Sequence, residues 1–149
     1  MDLKHLFDMA VTGAEKSFHD DGEIPQIAIA ISGNNELIVI PCPWKDERER
    51  VVVLYALRSF FKSKRVQQYA FVAEAWASTY NPDRDTLVMP SKSDRRKEVV
   101  MVSATDGTNS ISGFMDILRP FDGVASLANM ELFPEGHGDG ALLSLLNDA

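Results

Sequence analysis

The chain has 149 residues, of which 45% are hydrophobic and 25% charged, and its formal net charge is −7. This composition excludes wholesale disorder and fits one domain that buries a core of its own. The excess of acidic residues argues against binding along a nucleic-acid backbone, which needs clustered Lys and Arg. The single cysteine, Cys42, excludes an internal disulfide and a zinc site built from several thiolates.

The first half of the chain predicts a helix, a hairpin and a second helix. Apolar residues at helical spacing indicate a helix over residues 3–18. Two runs rich in Ile and Val, residues 26–32 and 36–41, flank Gly33-Asn34-Asn35, which is typical of a β-hairpin. Residues 44–64 begin with acidic and end with basic side chains, which favours a helix through its macrodipole. Because the middle of this second helix is apolar around much of its circumference, we expect it to be mostly buried against a sheet.

Residues 66–78, VQQYAFVAEAWAS, form the most informative segment of the chain. Both of its alternating faces are apolar, and it carries one carboxylate, Glu74. A strand with two apolar faces is usually covered on both sides, so we expect it at the centre of the sheet. Residues 79–97 predict a long polar loop with a short edge strand at 87–89. Two further strands, over residues 97–105 and 111–119, are joined around Asp106-Gly107.

The element order α-β-β-α-β-β-β predicts an α+β fold. Its sheet is largely antiparallel and five- to six-stranded, with two main helices packed on it. We expect residues 1–134 to form a single domain. Residues 135–149 predict a flexible, glycine-rich linker followed by a short apolar tail. The N-terminal segment lacks the apolar core of a signal peptide, and polar residues 32–36 interrupt the apolar stretch 24–40. We therefore expect a cytoplasmic protein without membrane contact.

Glu74 is the one candidate for catalysis. A carboxylate held among apolar neighbours can act as a general acid or base. The favoured alternative is structural: Glu74 forms a salt bridge to an arginine, or it lies at a strand end that reaches water. Arg119, near the end of the last predicted strand, is a possible partner if the two strands are neighbours. No nucleophile motif and no phosphate-binding glycine loop accompany Glu74, and the three histidines lie far apart in sequence. The sequence therefore predicts no metal site and no cofactor.

The candidate binding residues are one tryptophan and four arginines. An exposed tryptophan anchors protein partners, whereas the two apolar faces of its strand favour a core position. Arginines in the polar loop can clamp anionic groups, but mixed charges on a surface loop are ordinary. The residues in question are Trp76, Arg84, Arg95, Arg96 and Arg119.

Two segments, FVAEAW at 71–76 and DRRKEVV at 94–100, carry the chain's family resemblance. The chain resembles small uncharacterised α+β proteins of bacterial and bacteriophage genomes. That resemblance implies no activity, and no catalytic or binding residue is carried over from it.

Three functions of different classes are compatible with these residues. The first is a non-catalytic binding or regulatory module that acts through a protein partner or as a homo-oligomer, with the apolar tail 141–146 either docking elsewhere or packing on its own domain. The second is a metal-dependent hydrolase or nuclease that uses Glu74 with loop carboxylates such as Asp83 and Asp85. The third, contact with nucleic acid through basic side chains, is disfavoured by the net charge of −7.

Overall fold

The computed structural model describes residues 2–77, 97–121, 123–133 and 143–146. The predicted α+β class, the antiparallel sheet and the order of the elements are confirmed, and two short strands follow the last predicted one. The predicted strand at 87–89 lies outside the described residues. The elements are α1 (Leu3–Asp21), β1 (Ile27–Ile31), β2 (Leu37–Pro41), α2 (Glu47–Ser63), β3 (Gln68–Ala77), β4 (Lys97–Thr105), β5 (Ser110–Leu118), β6 (Ser126–Leu127) and β7 (Glu131–Leu132).

The strands form one sheet in the order β2-β1-β3-β4-β5-β6, with β7 also paired to β5. Each of these pairs is antiparallel. β3 lies between β1 and β4, where its two apolar faces predict it to be. β2 and β3 flank β1 and run parallel to each other, because each is antiparallel to β1. The chain therefore needs a crossover between them, and α2 supplies it.

Local signals in the sequence define both ends of α1. The Asp2 carboxylate accepts a hydrogen bond from the backbone N–H of His5 at 2.7 Å, which caps the first turn. At the other end Gly22 adopts a φ of 74° and donates its backbone N–H to the carbonyl of Phe18 at 2.8 Å. The helix thus runs three residues beyond the predicted residue 18, because glycine in the left-handed conformation ends it.

The start of α2 is capped, and its C-terminal end is joined to the β1–β2 turn. Asp46 accepts from the backbone N–H of Glu49 at 2.8 Å. After the last helical turn, the carbonyl of Lys64 accepts from the backbone N–H of Gly33 at 3.1 Å. A Cβ at Gly33 would lie 2.8 Å from the Cβ of Arg65, so the turn needs glycine there for this close approach.

The sheet lies between the two helices, which cover opposite faces. On one face α1 crosses β3 to β6. The core of this face, called the α1 face here, contains Leu6, Phe7, Ala10, Ala14, Phe18, Ile29, Ile31, Ala70, Val72, Val100, Val102 and Met115 among its buried side chains. On the opposite face, the α2 face, the small side chains of Ala28 and Ala30 on β1 share a core with α2 and β3. Only Leu54, Leu57 and Phe61 of α2 are buried, so the expectation that this helix is mostly buried is wrong. Alternate residues of β3 point to opposite faces of the sheet, so this one strand contributes side chains to both cores.

Part of the C-terminal segment belongs to the α2 face. Leu145 is 4% exposed and lies in the same core as Phe61 and Tyr69. Its backbone N–H donates to the Tyr69 hydroxyl at 3.1 Å. Of the two roles considered for the apolar tail, the one the structure shows is packing on its own domain. The glycine-rich segment before it lies outside the described residues.

Tyr69 connects three elements on the α2 face. It is fully buried, and its ring lies 4.9 Å from that of Phe61 and 5.7 Å from that of Phe71. Each such aromatic pair contributes about 0.5–1.5 kcal/mol beyond area burial. Burial raises the pKa of the Tyr69 hydroxyl to about 12, and burial likewise raises the pKa of the Cys42 thiol to about 11. The folded protein therefore favours the neutral form of both groups.

We expect Tyr69→Phe to destabilise the protein, and more so at neutral than at high pH. The variant leaves the buried N–H of Leu145 without its acceptor, which costs about 1–3 kcal/mol. The pKa of Tyr69 is higher in the folded than in the unfolded protein. The stability that its hydroxyl contributes is therefore fully present below pH 10 and is lost as the pH rises toward about 12. Urea unfolding across this range should therefore show the gap between wild type and variant shrinking. A gap that stays constant across this range would contradict the assignment, and Cys42 affects both proteins equally.

Candidate binding surface

Glu74 lies on the α1 face but outside its core. On β3 that core ends at Val72, and the Glu74 side chain is exposed. Its Oε1 accepts a hydrogen bond from the backbone N–H of Ile24 at 3.1 Å. Of the alternatives considered for Glu74, the exposure of its side chain supports the strand end that reaches water and not the carboxylate enclosed by apolar neighbours. Glu74 instead ties the connection between α1 and β1 to the central strand.

Trp76 is also less buried than its strand predicts. It is 43% exposed, so the core position favoured by the sequence is corrected. The strand pairing places Trp76 directly opposite Glu98 on β4. The Glu98 carboxylate accepts from the Nε of Arg119 at 2.6 Å. Trp76 and Arg119, two of the predicted binding residues, thus both neighbour Glu98.

Arg119 does not pair with Glu74, contrary to the suggested geometry. That pairing required the two strands to be neighbours, but β4 lies between β3 and β5, and Arg119 pairs with Glu98 on β4 instead. The remaining candidates, Arg84, Arg95 and Arg96 together with the carboxylates Asp83 and Asp85, lie outside the described residues.

Two observations concern the metal-ligating and nucleophilic side chains of the described residues. Within residues 2–77, 97–121, 123–133 and 143–146, no three His, Cys, Asp or Glu side chains converge to hold a metal ion. The Cys42 thiol is buried, and its pKa of about 11 keeps it protonated at neutral pH, whereas a nucleophile needs the thiolate.

An apolar groove lies on the α1 face between α1 and the β1–β2 hairpin. It arises because α1 packs over β1 and over β3 to β6, whereas Leu37 and Val39 of β2 on the same face stay exposed. The groove has a volume of about 250 Å³, and among its described lining residues Ser17 carries the only polar side chain. Met9 and Gly13 line the helix side, and Leu37 and Val39 line the strand side.

The strand side of this groove is the edge of the sheet. Among the described residues no strand pairs with the outer side of β2. Leu37 and Val39 are 50% and 55% exposed, although every residue of this strand is apolar. Monomeric proteins usually protect such edges with charged side chains or a covering segment. The structure thus leaves an apolar groove and an open strand side by side.

Comparison of the chain with protein-family models, with curated proteins and with solved structures gives no match. Within the described part of the chain, no helix is both long enough and apolar enough to cross a membrane.

Sequence reasoning did not identify this groove. The run LIVIP has no polar alternation, so it predicts a strand covered on both faces. Its exposure follows from its place at the end of the strand order and from the position of α1, which no local pattern reveals. Gly13 lies within α1 and lines the groove, and a Cβ added there would meet no atom within 4 Å. A glycine inside a predicted helix is the only feature of the sequence that agrees with this open space.

Glu74→Gln should be nearly neutral, and Glu74→Ala should not. Glutamine keeps an oxygen that accepts from Ile24, whereas alanine removes the acceptor at a cost of about 1 kcal/mol. Thermal and urea unfolding of the two variants measures the difference. Equal destabilisation by both substitutions would mean that the negative charge, not the hydrogen bond, supports this connection.

A double-mutant cycle should find coupling between Glu98 and Arg119 and none between Glu74 and Arg119. The first pair is in direct contact and half exposed, so we expect a coupling free energy of about 0.2–1 kcal/mol. Unfolding free energies of the single and double alanine variants supply both values. Coupling of Arg119 to Glu74 that equals or exceeds its coupling to Glu98 would contradict the observed pairing.

Proposed function

We propose that this protein is a non-catalytic binding or regulatory module that acts through protein–protein contacts. The observation that carries the proposal is the apolar groove between α1 and the β1–β2 hairpin. Ligand sites are concave and mostly apolar, and the apolar face of a partner segment fills such a groove.

The chemistry of the groove favours an uncharged apolar segment of another polypeptide. Its walls include the Met9 side chain, which adapts to varied shapes, and the aliphatic side chains of Leu37 and Val39. A nucleic acid or an anionic metabolite would need cations here, and the described lining has none. The net charge of −7 points the same way.

Trp76 and Arg119 belong to this proposal as a second contact area. They flank Glu98 at the far end of the α1 face, and a partner that follows this face would meet an aromatic and a guanidinium group there. We further propose a cytoplasmic location, in keeping with a single buried thiol, and an origin among the bacterial or phage α+β proteins that the chain resembles.

Filling the groove should abolish binding without harming the fold. Gly13→Leu places a side chain in open space on the helix wall and replaces glycine within a helix, which stabilises the helix by up to about 1 kcal/mol. Selection from a displayed peptide library, with the wild-type protein as bait, should yield peptides rich in apolar residues. Their affinity for Gly13→Leu should fall at least about tenfold, a loss of about 1.4 kcal/mol.

The control is Val52→Lys, which changes an exposed valine on α2, on the opposite face of the sheet from the groove. The selected peptides should bind this variant as tightly as they bind the wild type. Peptides that bind Gly13→Leu unchanged, or a selection that returns no apolar consensus, would refute the groove as the binding site.

A further inference from the structure

We infer that the outer edge of β2 pairs with β2 of a second copy of this chain, so that two sheets join into one across a two-fold axis. This inference concerns the backbone edge of β2, and it does not require that the groove beside it bind any partner.

The hydrogen-bond pattern shows which backbone groups β2 presents outward. The β1–β2 ladder is closed at its two ends by Ser32 donating to the carbonyl of Glu36 at 2.9 Å and Cys42 donating to the carbonyl of Gln26 at 3.0 Å. Because hydrogen-bonded residues alternate in an antiparallel pair, Ile38 and Ile40 direct their backbone N–H and C=O groups toward β1. Leu37 and Val39 therefore direct their N–H and C=O groups outward, and Pro41 directs a C=O alone.

Antiparallel pairing centred on Val39 suits this set of groups. Val39 then lies opposite Val39 of the second copy, and Leu37 lies opposite Pro41. Each outward N–H, on Leu37 and on Val39, finds a carbonyl in this register, and the missing N–H of Pro41 falls at the end of the ribbon. All five residues of β2 overlap with their counterparts.

The side chains are self-complementary in the same register. Paired residues of two strands share a face, so the exposed Leu37 and Val39 would contact Pro41 and Val39 of the second copy on the α1 face. Charges flank the strand with opposite signs, Glu36 before it and Lys45 after it. In this register Glu36 of one copy lies opposite Cys42 of the other, three residues before its Lys45.

The opposite edge of the sheet shows how this protein covers a strand. There the segment that contains β6 and β7 lies along β5, and its Ala128 and Phe133 donate to the carbonyls of Asp116 and Ser112, each at 2.9 Å. In the described chain β2 has no such cover, and it carries no charged side chain. An uncovered and wholly apolar edge strand is the form expected of a contact between copies, and two-fold dimers are the commonest oligomers.

Two joined edges would also combine the two grooves. Because the α1 faces of both copies lie on the same side of the continuous sheet, each groove would border the β2 ribbon, with one α1 helix on either side. The contact consists of one five-residue strand from each copy, so we expect a weak interface in which monomer and dimer exchange.

Light scattering of the full chain from about 1 µM to about 1 mM covers the affinities expected of a small interface. The mass should rise from that of one chain to that of two. Val39→Lys and Val39→Glu should each stay monomeric, because the two-fold axis places like charges opposite each other. An equimolar mixture of the two variants should regain the dimer. Val52→Lys should dimerise as the wild type does, and so should Gly13→Leu, which affects the groove alone.

Amide hydrogen exchange provides a second readout for the same proteins. The amides of Leu37 and Val39 should become protected as concentration rises, whereas those of Ile38 and Ile40 should be protected throughout. A wild-type protein that remains monomeric over the whole range overturns the inference, and so does a dimer that Val39→Lys leaves intact or that Val52→Lys disrupts. Failure of peptide binding at the groove leaves these outcomes unchanged, so the two proposals are judged separately.

Discussion

The structure depends on one strand that is buried on both sides. Tyr69 and Phe71 of β3 face α2, while Ala70 and Val72 face α1, so a single run of residues belongs to both cores. Burial of one large apolar side chain contributes about 1.5–3 kcal/mol, and here alternate residues provide it to both faces. α2 therefore packs on β1 and β3, and α1 extends from β1 and β3 toward β6, so within the described residues neither helix covers the α1 face of β2.

That placement explains why the two edges of the sheet differ. α1 crosses from β3 toward β6, and the segment after β5 covers that edge with short strands. On the opposite face, α2 connects β2 to β3, the two parallel strands that flank β1. It must therefore run back along the sheet from the end of β2 to the start of β3. Within the part of the chain that the structure describes, the α1 face of β2 has only the rim of α1 beside it, and the groove results.

The polar end of β3 shows a different consequence of the same packing. On β3 the core of the α1 face ends at Val72. Glu74 and Trp76, which follow on the same face, are exposed to solvent, so a polar side chain there does not lose its hydration. Glu74 accepts a backbone hydrogen bond, and Glu98 pairs with Arg119. Each of these two carboxylates thus has a structural partner. This end of the α1 face is polar, whereas the surface beside β2 is apolar.

The sequence by itself determined the type and order of the elements, and most of their ends within a few residues. Hydrophobic periodicity, the acidic start and basic end of the second helix, and the turn residues act over a few positions, so they are readable without a structure. Only the tertiary structure decided that β2 is an edge, that Leu145 returns to Tyr69 and that Arg119 pairs with Glu98 rather than Glu74. These facts depend on strand register and helix placement, which arise from contacts between residues far apart in the chain.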